Sequence, residues 1–164
     1  VTAALVALGG NVEPRRLHLL TAVAELAALP GTRVLAISSL HQTAPVGCPP
    51  GSGPFLNGAC LIETELPPRA LLDALLSLEL RHGRRRGEAN APRTLDLDLL
   101  LHGEAVLDEP GLLLPHPRMQ HRAFVLEPAA EVAPHMRHPR LRRSLLELRD
   151  ALRASGGPEE SCAS

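Results

Sequence analysis

The chain has no lysine, no tryptophan and no tyrosine, and its only aromatic residues are Phe55 and Phe124. Without lysine there is no GxxxxGKS/T phosphate loop, so any ATP must be held by arginines and metal ions. With so few rings, the core has to be built from Leu, Val, Ile and Ala. Cysteine is scarce too: Cys48, Cys60 and Cys162 are an odd number with no CxxC pair, which argues against a disulfide framework and for a reducing compartment. The net charge of −1 provides no global field that would draw the chain to nucleic acid or anionic lipid. No apolar run approaches the roughly 18 residues a membrane span requires. The apolar opening, Thr2–Leu8, lacks a basic leader and a cleavage-like site, and it reads as a buried strand. These absences lead us to expect a cytoplasmic monomer with no nucleic-acid or membrane partner.

What is present suits one globular domain. At 164 residues, with 45% hydrophobic and 21% charged content, the chain is long enough to bury a proper core. We expect the domain to span 1–154 and the small, polar stretch 155–164 to be disordered. Every basic residue is arginine, alongside abundant Ala, Leu and Pro. A GC-rich coding sequence produces that bias, so the arginine count carries no argument by itself.

Periodicity predicts a strand over Thr2–Leu8, a tight turn at Gly9-Gly10-Asn11 and a helix over Pro14–Leu29. A second strand follows over Arg33–Leu40, then a Pro/Gly-rich loop, Thr43–Pro54, and a third strand, Phe55–Thr64. A second helix runs from Pro67-Pro68 to His82, with Leu71, Leu72, Leu75, Leu76 and Leu78 as its apolar stripe. After the polar loop Gly83–Pro92 come a fourth strand, Thr94–Leu101, and a hairpin partner for it at Ala105–Leu107. Two helices, near Arg122–Ala129 and Leu141–Ala154, complete the chain. The order β-α-β-β-α-β fits an α+β, ferredoxin-like sheet with helices packed on its faces.

The most informative segment is Arg93-Thr94-Leu95-Asp96-Leu97-Asp98-Leu99. Side chains alternate along a strand, so Asp96 and Asp98 project together while Leu95, Leu97 and Leu99 face the core. Two carboxylates this close repel one another unless a cation lies between them. Oxygen ligands on a rigid strand suit Mg²⁺, which completes its octahedron with phosphate and water. A solvated strand face shows the same alternation, so the pair alone leaves both readings open.

Arg81, Arg84, Arg85, Arg86 and Arg93 cluster around a loop containing Gly83, Gly87 and Pro92. Arginine's planar fork grips phosphate oxygens in pairs, and such a loop could close over a polyphosphate. The loop has no aromatic residue on which a base could stack, which weakens a nucleic-acid reading. Downstream, His116 lies between Pro115 and Pro117, with Arg118, Arg122 and Phe124 following. It is either a phosphate donor or a surface histidine in a rigid turn. On the third strand, period two puts Phe55 and Asn57 on one face, a ring beside an amide, as a flat hydrogen-bonding heterocycle would need. Either phenylalanine, taken singly, reads equally well as core.

In order along the chain, Leu8-Gly9-Gly10-Asn11, Ser38-Ser39, Thr43-Ala44-Pro45-Val46-Gly47, Phe55-Leu56-Asn57, Glu79, Arg84 and Arg86, Pro92–Asp98, Pro115–Met119 and Arg122–Leu126 resemble the 6-hydroxymethyl-7,8-dihydropterin pyrophosphokinase family. The resemblance implies transfer of pyrophosphate from ATP to a pterin alcohol, giving the diphosphate and AMP in folate biosynthesis. It implies that Asp96 and Asp98 hold two Mg²⁺ ions. The pterin would lie between Phe55 and Phe124, its edge read by Asn57, Thr43 and the backbone of Pro45 and Val46. Arg84, Arg86, Arg93, His116 and Arg122 would surround the triphosphate, with Glu79 near the nucleotide. Gly10, Ala91 and Asn90 depart from the commoner family residues, as do His121, Gly111 and Leu113, but no implied metal ligand or pterin wall is lost. Two rivals predict different behaviour. A non-catalytic RNA- or nucleotide-binding module would bind through the arginines without Mg²⁺, and a transferase for another heterocyclic alcohol would ignore the pterin.

Overall fold

The computed structural model describes residues 1–43, 53–83 and 94–156. Pro45, Val46, Arg84, Arg86, Ala91, Asn90 and Arg93 lie outside the described residues, as does the expected tail from 157 onward.

The most apolar segment, Thr2–Gly10 (β1), takes the centre of the sheet, with Ala4, Leu5 and Val6 fully buried. A strand buried on both faces needs a partner on each edge, and both partners come from distant parts of the chain. Phe55–Thr64 (β4) pairs antiparallel with β1 in unbroken register, from Thr2 opposite Thr64 to Gly10 opposite Leu56. Asp96–His102 (β5) pairs with its other edge, and Thr32–Ile37 (β2) pairs with the far side of β4. The resulting order, β2-β4-β1-β5, interleaves two split βαβ units into an antiparallel α+β sheet of the ferredoxin-like kind.

Two of the connections are helices packed on one face. Arg15–Ala27 (α1) buries Leu19, Ala22, Val23 and Leu26, and Pro68–Arg81 (α2) buries Leu71, Leu75 and Leu78, both at helical spacing. They meet Ala4, Val6 and Leu8 of β1 and Leu97 and Leu99 of β5. The opposite face is covered by Ala123–Val132 (α3) and Leu145–Ala154 (α4), which pack on Leu5, Ala59, Leu100 and Leu101. Leu100 is an extra residue in the β1–β5 register, where Val6 faces Leu99 and Leu5 faces Leu101. The bulge puts both Leu100 and Leu101 on the α3–α4 side.

The structure corrects several expectations. Gly9 and Gly10 are not a turn but the end of β1, since β4 and β5 both demand partners there. Thr43 does not begin a loop: His41–Thr43 is a short strand (β3) paired with β4. The kink separating it from β2 is tied down by Ser39, whose backbone N–H and hydroxyl both donate to Glu131 of α3. The hairpin expected at Ala105–Leu107 against the fourth strand is instead Leu107–Glu109 (β6) with Leu112–Leu114 (β7), a separate two-stranded sheet. Gly111 makes that turn with a left-handed φ of 75°. The last helix starts at Leu145, not Leu141, because Ser144 and Glu147 form a reciprocal capping box. Helix α1 begins after Pro14, which is its extended N-cap residue.

Candidate active site

Strand alternation and register put the predicted residues into rows on the α3–α4 face. His41, Asn57, Gly9 and Asp96 lie side by side across four strands. One row along are Ala59, Ala7 and Asp98, and in the other direction Thr43 lies opposite Phe55. Asp96 and Asp98 are half-buried, while Leu95, Leu97 and Leu99, which alternate with them, are buried in the other core, as the alternation predicted.

The centre of the first row is open because Gly9 has no side chain. A Cβ there would lie 3.2 Å from Asn57 Oδ1 and 3.9 Å from Cβ of Asp96. Glycine within a strand often marks a close approach by something else, and here the gap runs from an amide to a carboxylate. Asn57 is oriented by its own donation to the Thr43 hydroxyl at 2.8 Å, leaving Oδ1 towards the gap. Phe55 is half-buried on the same face, and so is Phe124, which packs against the α3–α4 core. Arg122, only 6% exposed, sets its guanidinium carbon 5.6 Å from the centre of the Phe124 ring, within cation–π range.

Beside Asp98 lies a cleft of about 570 Å³, lined by Leu72 and Leu76 of α2, Gly111 and Leu113 of the hairpin, and His116. His116 Nδ1 accepts the backbone N–H of Arg118 at 3.2 Å. Burial, with Arg122 and Arg118 adding positive charge, pushes its pKa from 6.5 down to about 4, although Asp96 pulls the other way. The ring is therefore neutral at pH 7 and carries its proton on Nε2 as a single donor. An unfolded chain binds a proton near pH 6.5 that the folded ring refuses until about pH 4. The metal-free protein should accordingly lose stability as pH falls from 6.5 towards 4. Urea denaturation across that range should show a shallower pH slope for His116→Asn, and an unchanged slope would mean the ring is not held neutral. His138, also shifted down by burial, adds to the wild-type slope in the same direction.

Glu79, which the resemblance places near the nucleotide, also makes a structural contact. It is 1% exposed on α2, and its carboxylate accepts the backbone N–H of Leu97 at 3.3 Å. Leu97 lies between the two aspartates on an edge strand, so Glu79 supports the strand that carries them. Glu79→Ala should cost roughly 1–3 kcal/mol by leaving that buried donor unsatisfied, whereas Glu79→Gln retains an acceptor and should recover most of it. Equal stability of all three proteins in urea would show that the contact contributes nothing. The sequence offered a signal for this, a lone acid at the end of an apolar helical stripe, but not its partner.

The carboxylates, the fixed imidazole donor and the open glycine floor all serve small polyanionic and flat ligands. On this α+β scaffold such an arrangement suits a small-molecule transferase of phosphate groups. Comparison with known proteins agrees. The chain belongs to the 7,8-dihydro-6-hydroxymethylpterin-pyrophosphokinase (HPPK) family, whose model matches residues 5–134. It is 47% identical over 134 residues to the 2-amino-4-hydroxy-6-hydroxymethyldihydropteridine pyrophosphokinase of Pseudomonas aeruginosa, covering 82% of each chain. It is 41% identical over 145 residues to the enzyme of the same name from Synechocystis, covering 88% of this chain and 73% of that one. The fold matches the crystal structure of wild-type Plasmodium falciparum HPPK-DHPS with pteroate at a TM-score of 0.72 and 12% identity. That match covers 92% of this chain, which spans 44% of the Plasmodium chain.

Proposed function

We propose that this face of the sheet transfers pyrophosphate from ATP to 6-hydroxymethyl-7,8-dihydropterin, giving the pterin diphosphate and AMP in folate biosynthesis. The observation that carries the reading is the gap over Gly9, bounded by Asn57 at one end and Asp96 at the other. A flat heterocycle laid there meets Asn57 and Thr43 along its edge and Phe55 and Phe124 at its faces, and its hydroxymethyl group reaches the aspartates. The nucleotide occupies the cleft beside Asp98, with its phosphates towards His116 Nε2–H and Arg122.

The donor set fits magnesium. Two carboxylates share a face, and among the described residues no cluster of three ligating side chains forms a closed protein cage. Mg²⁺ is commonly held in this way, by one or two carboxylates with phosphate oxygens and water. We assign Asp96 and Asp98 to two Mg²⁺ ions, which when bound neutralise phosphate charge during transfer. The rest is positioning by the chain. The pterin hydroxyl oxygen attacks the β-phosphorus, the bond from that phosphorus to the α,β-bridging oxygen breaks, AMP leaves with that electron pair, and the hydroxyl proton is released to solvent. The hydroxyl is placed to hydrogen-bond Asp96, which orients its lone pair. His116 donates without adding charge. Arg84, Arg86 and Arg93, outside the described residues, are assigned to the transferring group, and the backbone of Pro45 and Val46 to the pterin edge. The working unit is residues 1–154, acting as a cytoplasmic monomer. No described helix is long and apolar enough to cross a membrane.

Incubation with ATP, Mg²⁺ and the reduced pterin should release AMP and pterin diphosphate in equal amounts, and neither without the pterin or the metal. ADP as the nucleotide product, or AMP released without pterin, would defeat the reading. Phe124→Ala should weaken pterin binding by about 1–3 kcal/mol, the usual worth of stacking on a ring. An unchanged dissociation constant in the folded variant would assign Phe124 to the core alone.

A further inference from the structure

The kink between β2 and β3, Ser38-Ser39-Leu40, is irregular backbone, yet it is held on three sides. Ser38 donates its backbone N–H to the carbonyl of Ala59 at 2.9 Å, as a β2–β4 ladder would continue. The return bond does not follow. Ala59 instead gives its N–H to the Ser38 hydroxyl at 2.8 Å, and that hydroxyl donates to the carbonyl of Ser39 at 2.8 Å. A side chain thus replaces the backbone acceptor at the point where the chain leaves the ladder. Leu40 lies over Gly58 of β4, where an added Cβ would come within 2.8 Å of Leu40 Cδ2.

The third hold is on α3. Both the N–H and the hydroxyl of Ser39 donate to Glu131, one to each carboxylate oxygen, the hydroxyl at 2.6 Å. The hydroxyl proton is thereby used, so His41 Nε2, 3.1 Å away, donates to the same serine oxygen. The two ends of this clasp differ in rigidity. Helix α3 is fixed in the core by Val125, Leu126, Ala129 and Ala130. Strand β3 has three residues and pairs with β4 alone, so its own ladder holds it weakly. Yet β3 ends on Thr43, whose hydroxyl accepts the Asn57 amide and so turns Asn57 Oδ1 towards the gap over Gly9.

We propose that Glu131, acting through Ser39, is a positioning residue for recognition of the pterin edge. The carboxylate fixes where β3 joins the sheet, and with β3 the Thr43 hydroxyl and the Asn57 amide. Its two oxygens match the two donors of Ser39, a fork that glutamine, with one acceptor oxygen, reproduces only by half. This inference rests on the proposed function. It gives the Ser38-Ser39 pair a purpose beyond a bend, since a bend alone would not need an anchor on a helix of the opposite wall.

Calorimetric titration of the full chain with the reduced pterin tests this, in the presence of Mg²⁺ and α,β-methylene-ATP, whose carbon bridge prevents transfer. Glu131→Ala should weaken pterin binding roughly tenfold, and Glu131→Gln about threefold. Affinity for the nucleotide analogue, titrated without pterin, should change by less than about twofold, because the cleft beside Asp98 is lined by other residues. Ser39→Ala should weaken pterin binding about fivefold, and Ser39→Thr, which restores the hydroxyl, should recover it. In a Thr43→Val background, Glu131→Ala should cost no more than about twofold, because the hydroxyl being positioned is already gone. Thermal unfolding shows which variants are folded at the titration temperature. Should Glu131→Ala fail to fold, Ser39→Ala, the loss of one hydroxyl at an exposed residue, carries the same comparison. An unchanged pterin dissociation constant, an equal loss for both ligands, or full additivity with Thr43→Val would each overturn the positioning role. Absence of pterin binding by the unaltered chain would instead defeat the proposed function, before any variant is compared.

Discussion

Asp98→Ala should abolish pyrophosphate transfer, with kcat falling roughly a thousandfold or more, and leave the protein folded. Asp98 lies opposite Ala7 on the half-buried face of β5 and lines the cleft proposed for the nucleotide, while the core residues on either side of it, Leu97 and Leu99, pack into the α1–α2 core. Removing its carboxylate therefore takes charge from the reacting phosphates without touching the packing that holds β5 in place. Charge stabilisation by a bound metal amounts to several kcal/mol, and each 1.36 kcal/mol is about tenfold in rate. Asp98→Asn keeps the shape and loses the charge, so it should be nearly as slow. Initial rates in saturating Mg²⁺, together with thermal unfolding of each variant, provide the check. A rate that returns to wild type in saturating Mg²⁺ would sink the assignment of Asp98 as a metal ligand.

Gly9→Val should cost roughly a hundredfold in kcat/KM for the pterin by filling the floor between Asn57 and Asp96. A Cβ at Gly9 would lie 3.2 Å from Asn57 Oδ1, and Asn57 cannot swing aside cheaply because its amide is tied to Thr43. The branched methyl groups then project into the gap proposed for the pterin, and a displacement of about 1 Å at a reacting centre is enough for a loss of that size. Valine suits a strand, so the fold should survive with a stability change of about 1–3 kcal/mol from crowding. ATP binding should be unaffected, because the cleft beside Asp98 is lined by other residues. Fluorescence or calorimetric titration with each substrate separates these effects, and unaltered pterin affinity would show that the gap is not where the pterin lies.

The elements with strong periodicity could be read from the chain alone. Phe55–Thr64 is found with the boundaries expected, and Leu71, Leu75 and Leu78 bury as the helical stripe predicted. The alternation around Asp96 and Asp98 correctly assigned each residue to a face. Where reading failed, long-range pairing overrode local preference. Gly9-Gly10 has the composition of a turn, yet strands from two distant segments pair with it and extend β1 to Gly10. Ala105–Leu107 look like a hairpin partner for β5, but Leu107 opens β6, which pairs with the later β7 rather than with β5. Glu79 could be marked as unusual, but its hydrogen bond to Leu97 crosses from a helix to a strand, and no local pattern encodes that.

By itself, the sequence determined which chemistry is available. Two carboxylates share a strand face, arginine is the only basic side chain apart from histidine, two rings stand in for a larger aromatic set, and lysine is absent. Those conclusions depend on residue identity and on a period of two, both of which are local. Only the tertiary structure decided neighbourhood: Asn57, Gly9 and Asp96 in one row, His116 held neutral near Asp96 and two arginines, and Ser39 bonded to Glu131 of α3. Register between strands far apart in the chain is set by how whole faces bury, so it emerges only once the sheet has formed.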